Sequence, residues 1–500
     1  MAERFDVAII GGGVVGCAIA RELSGFAMTV VLLERQADVA RGTSSKNSGV
    51  VHTGFNVPPG SLKARLNVAG AAMFEDVCRG LGVPFKRVGK LVIALQEEQV
   101  AELQALEARG RKNGVPALEI IGRDEIRRLE PNISGVAALH APTAAITCPY
   151  TLTIALAESA AENGAEVRLE SPVLEVSRGD EGFTLATPRG AVRAGLVINS
   201  AGLEADHVAE MAGVRRWRIY PCRGEYTILD RSKSWLISRM VYPVPPKGGP
   251  GLGVHLTPTV DGNILIGPSA EYVRARDDTR TTGEVRRQLL QEAAGLLPGI
   301  SAADVIGAYS GVRPKLTPES AKGSADFVIE EAPEAPGMLH LVGIESPGLT
   351  AAPAIAKEVA VWVNSRLGRP ERLPASRERR QPVRFREKTL SEQAGLIGAD
   401  PDYGRIVCRC ELVTKREVLD AARNRLGAVS LTALKYRSRA MMGRCQGGFC
   451  GPRVVDLLIE EGIPPEEITL RGGDSWLFSG TSKGLRSDGR AGKAGQEAAR

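Results

Sequence analysis

FDVAIIGGGVVGCAIARELSGFAMTVVLLE, residues 5–34, decides the fold. FDVAII is a short unbroken apolar run and reads as a buried strand. Gly11-x-Gly13-x-x-Gly16 follows at once, then an apolar helix to about Leu23, then a second strand, TVVLLE, ending at Glu34. Only glycine lets the backbone turn so tightly and lie close to a pyrophosphate. The helix start beyond it offers free N–H groups and a positive dipole end. A carboxylate at the end of the second strand can accept from both ribose hydroxyls. A lone Gly-x-Gly-x-x-Gly would be weak, because a turn used only for packing gives the same residues. Strand, turn, helix, strand and acid in sequence make it a dinucleotide site.

Working outward, residues 41–60 are rich in Gly, Ser, Thr and Asn and read as loop. Helical patterns occupy 62–81, 97–113 and 149–163, with a strand at 166–169. LVINSAG (196–202) is a strand closing on a tight turn. Residues 214–269 break into short strands between Pro and Gly, an antiparallel pattern. MLHLVGIESPGLTAAPAIAKEVA (338–360) is strand, loop, helix. The expected architecture is α/β: a Rossmann-like nucleotide-binding part interleaved with an antiparallel-sheet substrate part over 1–365. A linker over 366–404, a small helical unit carrying four cysteines over 405–472 and a disordered tail over 473–500 complete it.

At 43% hydrophobic and 24% charged the chain is too apolar to be disordered throughout. The net charge of +6 is concentrated: nine Arg or Lys against three Glu in 366–388, and five against two from 479 onward. Basic excess confined to a linker and a tail reads as solvated spacer, so no nucleic-acid partner is expected. MAERFDVAII carries three charges and runs into a strand, unlike a cleavable signal. No stretch of eighteen apolar residues occurs. A cytoplasmic location, with peripheral contact at the membrane's inner face open, follows as an expectation. In that reducing setting clustered cysteines mean metal or redox chemistry.

GTSSKNSGVVHTG (42–54), LVINSAG (196–202) and GIESPGLTAAPAIA (343–356) resemble three flavin-contact segments of the D-amino-acid-oxidase-like superfamily of FAD-dependent oxidoreductases. The resemblance implies FAD as cofactor. It implies contacts at Gly11, Gly13, Gly16, Glu34, Thr43, Ser44, Ser45, Gly49, Val173, Ala201, Gly202, Gly348, Leu349 and Thr350.

The four C-terminal cysteines are spaced Cys408-x-Cys410, then thirty-four residues, then Cys445-x4-Cys450. Two close thiolate pairs suit zinc or an iron–sulfur cluster. Thr414 and Glu417 form a capping box, and Pro452 opens a second helix that Gly462 ends. The second pair therefore sits at a helix start, where thiolate is favoured. VCRCELVTKREV (407–418) and MMGRCQGGFCGPRVVDLL (441–458) resemble the bacterioferritin-associated-ferredoxin-like domain, which implies a [2Fe-2S] cluster on these four residues. Cys17, Cys78, Cys148 and Cys222 show no pairing pattern.

On the substrate side two families compete. Segments 52–70, 89–95, 223–226 and 241–270 are similar to L-2-hydroxyglutarate dehydrogenases. AYSGVRPKL (308–316) and the cysteine unit are similar to the anaerobic glycerol-3-phosphate dehydrogenase large subunit. Both oxidise a small anionic secondary alcohol. Arg313, held between valine and proline, is the candidate anion-binding guanidinium. His52 and His255 lie inside the similar segments and are the candidate bases. His140, His207 and His340 read as structural. The glycerol-3-phosphate family's phosphate-binding lysine is absent, since Glu345-Ser346 stands there. This favours a carboxylate over a phosphate unless Lys315 compensates. Electrons would pass through the cluster to an acceptor subunit, ferredoxin or quinone. An amine or imino-acid dehydrogenase subunit and a non-enzymatic redox module are the alternatives.

Overall fold

The computed structural model describes residues 3–245, 253–321, 324–373 and 377–480. The segment 5–34 forms what its pattern predicts: strand Glu3–Ile10, helix Val14–Leu23 and strand Val30–Leu33. Val7 to Ile10 and Val30 to Leu33 are buried on both faces, as parallel strands between layers must be. Glu3–Ile10 sits at the centre of an eight-stranded sheet, parallel to Gly190–Asn199 on one side and Val30–Leu33 on the other. The hairpin Glu175–Gly179/Gly182–Thr187 extends one edge, and Met338–Val342 joins Gly190–Asn199 in parallel. Helices Val14–Leu23, Pro149–Glu162 and Gly348–Arg366 pack over one face through Ile19, Leu23, Leu152, Leu156, Ile355 and Val359.

A second sheet among the described residues has nine strands. Tyr220–Leu229 and Val305–Lys315 pair antiparallel along their length and form its spine. The expected antiparallel pattern holds except where Met240–Pro243 runs parallel to Lys90–Ala94. The helix Leu62–Leu81 matches its predicted bounds. Ser61 Oγ accepts from Ala64 N–H at its start, and Gly82 (φ +64°) ends it in the left-handed region.

The C-terminal unit has its own core: Val418, Leu434, Val454 and Leu458 pack around Cys408 and Cys450. Its capping box is formed, Thr414 Oγ1 accepting from Glu417 N–H while the Glu417 carboxylate accepts from Thr414. Three features differ from the sequence reading. The stretch 366–404 contains a capped helix, Leu390–Ala399. Not all of its arginines are solvated spacer: Arg379 pairs with Glu158, and Arg386 bridges Asp261 and Glu411 at 2.8 and 2.5 Å, both guanidiniums largely buried, while Arg366, Arg372 and Arg380 stay exposed. Residues 473–480, expected to be disordered, fold back instead, Leu477 N–H donating to Ile468 C=O at 3.0 Å. The rest of the expected tail, 481–500, lies outside the described residues, as does 246–252 of the motif at 241–270.

Candidate active site

A cavity of about 1650 Å³ runs from the glycine turn to the second sheet. At one end stand Gly11, Gly13 and Glu34. A Cβ at Gly11 would fall 2.6 Å from Ser200 O, and one at Gly16 2.1 Å from Gly11 O. The first glycine keeps the turn open, and the third lets the helix sit on it. Ser44 Oγ accepts from Val14 N–H at 2.9 Å, which ties the loop 42–54 to the helix start. Glu34 accepts from Gly12 and Gln36 N–H at 2.6 and 2.8 Å. Burial raises its carboxyl pKa against those two donors. Thr43, Ala201, Gly202, Gly348 and Leu349 also line the cavity. A glycine-lined slot long enough for a dinucleotide fits FAD.

Other expected flavin residues lie behind the wall. Thr350 is fully buried, its Oγ1 accepting from His52 N–H at 2.9 Å. Gly49 (φ +67°) lies so near Thr147 that a Cβ would meet its carbonyl oxygen at 2.3 Å. Ser45 Oγ donates to Gly42 C=O. Val173 packs with the cluster around Phe183 and Leu185, away from the cavity lining.

The opposite end of the cavity gathers His52, His255, Tyr226, Tyr242 and Arg313. Arg313 donates to Ser269 C=O at 2.8 Å and Arg223 C=O at 3.3 Å, so backbone carbonyls fix the guanidinium without neutralising it. His255 stacks on Tyr242, ring centroids 3.9 Å apart, with Nδ1 3.1 Å from Gly253 C=O. A carbonyl only accepts, so Nδ1 carries the proton and Nε2 keeps its lone pair. Burial lowers His255 to about 3, keeping it neutral.

His52 differs in one respect the sequence did not reveal. Its Nδ1 lies 3.3 Å from Nζ of Lys90, a lysine only 2% exposed and 4.2 Å from the Tyr242 ring centroid. Burial lowers Lys90 to about 7. Burial, then the Lys90 charge, lowers His52 well below the usual histidine range. Lys90 belongs to a strand that reads as ordinary apolar sheet, so only the fold brings it to His52.

Lys315 does not stand free as a substitute cation. Its Nζ is 3.7 Å from Glu345 Oε2, and Lys63 Nζ is 3.1 Å from Oε1. Burial alone would raise the Glu345 carboxyl pKa, but Lys63 and Lys315 outweigh it. Two lysines on one carboxylate leave a single positive charge beside the Arg313 end. Lys63 was unforeseen. His140 and His207 pair with Glu119 and Glu204, and His340 bonds Asn199, as structural histidines do.

In the C-terminal unit the cysteines pair across the motif, not along it. Cys410 and Cys445 Sγ are 3.9 Å apart and exposed, while Cys450 faces Cys408 in the core. Two thiolates on one tetrahedral metal at about 2.3 Å lie roughly 3.8 Å apart. Among the described residues no three His, Cys, Asp or Glu side chains are placed to hold one metal ion. Two facing pairs fit a binuclear cluster. The turn before helix Gly451–Glu460, not the helix start itself, acts on Cys445, while Cys450 stands at the N-cap. Backbone N–H groups of Phe449 and Gly447 lower Cys445, whereas burial and neighbouring Cys408 push Cys450 up to about 12.

Residues 6–362 match the family described as FAD dependent oxidoreductase, and 406–460 match the BFD-like [2Fe-2S] binding domain. A glycerol 3-phosphate dehydrogenase of Caloramator mitchellensis is 38% identical over 483 residues, covering 96% of this chain and 99% of its own. The mitochondrial L-2-hydroxyglutarate dehydrogenase of Bos taurus is 31% identical over 414 residues, covering 73% and 89%. Among solved structures, the dithionite-reduced L-alpha-glycerophosphate oxidase of Mycoplasma pneumoniae with FAD bound is 28% identical, with a TM-score of 0.69. That match covers 76% of this chain and 98% of the other. No described helix is long and apolar enough to cross a membrane.

Proposed function

Since this chain belongs to the FAD dependent oxidoreductase family and carries a BFD-like [2Fe-2S] domain, we propose that it oxidises glycerol 3-phosphate to the ketone and passes the electrons through the cluster to a separate acceptor. One observation carries the choice of substrate. The 38% identity to a glycerol 3-phosphate dehydrogenase runs through both domains, whereas similarity to the 2-hydroxyglutarate enzymes covers 73% of the chain.

In this reading FAD, held along the slot of Gly11, Gly13 and Glu34, would supply a hydride acceptor, and a [2Fe-2S] cluster held by Cys408, Cys410, Cys445 and Cys450 would supply one-electron transfer. The chain's residues do the rest. Arg313, pre-oriented by carbonyls, forks onto the substrate anion. His255 Nε2 takes the hydroxyl proton as hydride leaves. Its basicity is low in the free site, and a bound anion beside it raises it. His52, with Nδ1 facing Lys90, presents Nε2–H as a donor to the substrate oxygen. Cys410 and Cys445, the exposed pair, form the edge at which an acceptor subunit, ferredoxin or quinone meets the cluster.

A carboxylate-bearing 2-hydroxy acid is the second reading. It is favoured by Glu345, which cancels one of the two lysine charges that a phosphate dianion would use. Anaerobic bleaching of the flavin separates the two. Glycerol 3-phosphate should bleach it within seconds and L-2-hydroxyglutarate far more slowly. The reverse order would replace the first reading by the second, and bleaching only by sarcosine or L-proline would discard both.

A further inference from the structure

The turn 471–475 belongs to the C-terminal unit, yet Arg471, Gly472, Asp474 and Ser475 line the same cavity as Glu34. Gly472 (φ +89°) presses on the loop after Glu34 so closely that a Cβ would fall 2.0 Å from that of Ala37. Local bonds hold the turn: Ser475 Oγ accepts from Arg471 N–H at 2.8 Å, and Thr469 Oγ1 from Gly472 N–H at 3.0 Å. Behind it, buried Arg437 forks onto Asp38 at 2.5 and 3.0 Å and reaches Glu158 at 3.2 Å. The nucleotide loop is therefore gripped from the C-terminal side.

That grip crowds three cations at one stretch of cavity wall. Arg41 and Lys46 come from the nucleotide loop and Arg471 from the turn. Among the described residues none of the three has a salt bridge, although each sits in a carboxylate-rich molecule. Arg41 instead lies over the Tyr436 ring at 5.7 Å. Burial lowers Lys46 to about 8, and Arg41 and Arg471 add to the effect. Burial likewise lowers Arg41, with Arg471 contributing. Tyr436, Asp38 and Glu34 act on Arg41 in the opposite sense, whereas burial, Arg41 and Arg471 all lower Lys46. Unpaired cations held together in a partly buried wall are destabilising unless an anion of matching charge joins them.

We propose that Arg41, Lys46 and Arg471 form a cradle for the phosphates of the dinucleotide, so that the iron–sulfur domain completes the FAD site. The cradle rests on the chain's FAD-binding family and not on the substrate reading. It couples the two cofactors: the flavin nucleotide holds the C-terminal turn in place, and the docked domain holds the nucleotide.

The test is FAD binding to flavin-stripped full-length protein, followed by flavin fluorescence without substrate. Arg471→Ala should weaken FAD about tenfold and Arg471→Glu about a hundredfold at low salt. Arg471→Lys should restore most of the affinity. Wild-type affinity should fall with added salt more steeply than that of Arg471→Ala. Iron content and cluster absorbance, unchanged in all three variants, would show that the domain is folded. Wild-type affinity in Arg471→Glu would overturn the proposal, as would a loss in Arg471→Lys equal to that in Arg471→Ala. A failure of glycerol 3-phosphate to bleach the flavin would leave these affinities unaffected, so the two readings fail separately.

Discussion

Lys90 shows how much one side chain depends on where the fold puts it. Folded, its ammonium is lowered to about 7 by burial. Unfolded, it titrates at about 10.4. Between those values the unfolded chain binds more protons, so stability rises with pH. Relative to Lys90→Met, the wild type should gain about 1.4 kcal/mol per pH unit from pH 7 to 10. Thermal midpoints across that range check it, and a constant difference would refute the buried, partly neutral lysine. Lys90→Met should also flatten the pH profile of kcat, because His52 loses the cation facing Nδ1. At the same end of the cavity, where Arg313 and Lys90 both act on His255, Arg313→Lys keeps the charge but loses the fork. KM for the anionic substrate should rise roughly ten- to a hundredfold, the scale of a charge-assisted hydrogen bond of about 1.5–3 kcal/mol. Flavin binding should be undisturbed.

Between elements, the closest approach near the flavin segment is where helix Leu62–Leu81 crosses the start of helix Gly348–Arg366. A Cβ at Gly70 would fall 2.0 Å from Thr350 O, a backbone atom that cannot swing aside. Gly70→Ala must push the second helix away, at a cost of about 1–3 kcal/mol for overpacking. Thr350 Oγ1 also accepts from His52 N–H, so the shift reaches the active site. Loss of both melting temperature and FAD affinity is the expected result, and a fully active, fully stable variant would show that the helices do not meet this way. In the C-terminal unit Thr414→Ala removes one half of a capping box and should cost about 1 kcal/mol. Both positions were legible as motif residues, Gly70 in a segment similar to known relatives and Thr414 in a cap pattern. Glu417, the partner of Thr414, was legible too because it lies three residues on, whereas Thr350, which Gly70 meets, lies far along the chain and is brought there by a helix crossing.

At the scale of the molecule, the two functional units are joined by buried charge. Arg437 reaches Asp38 and Glu158, while Arg386 and Arg439 share Asp261 and Glu411. Breaking such a pair from one side leaves a buried charge alone, at about 3–5 kcal/mol. Arg437→Met should therefore lower the thermal midpoint and expose the joint to limited proteolysis. Cys410→Ser should abolish the cluster, with iron falling from about two per chain to none. The sequence by itself determined the dinucleotide turn, the capped helices, the four cysteines and the two family resemblances. Each is a local pattern whose physics acts within a few residues: a glycine's freedom at φ > 0, a cap, a period of 2 or 3.6. The tertiary structure alone decided which cysteine faces which, that Lys315 is spent on Glu345, that Lys90 stands behind His52, and that Arg379 and Arg386 of a basic segment are buried among carboxylates. Those outcomes depend on residues far apart in the chain, whose charges and thiols acquire partners only when packing brings them within a few ångströms of each other.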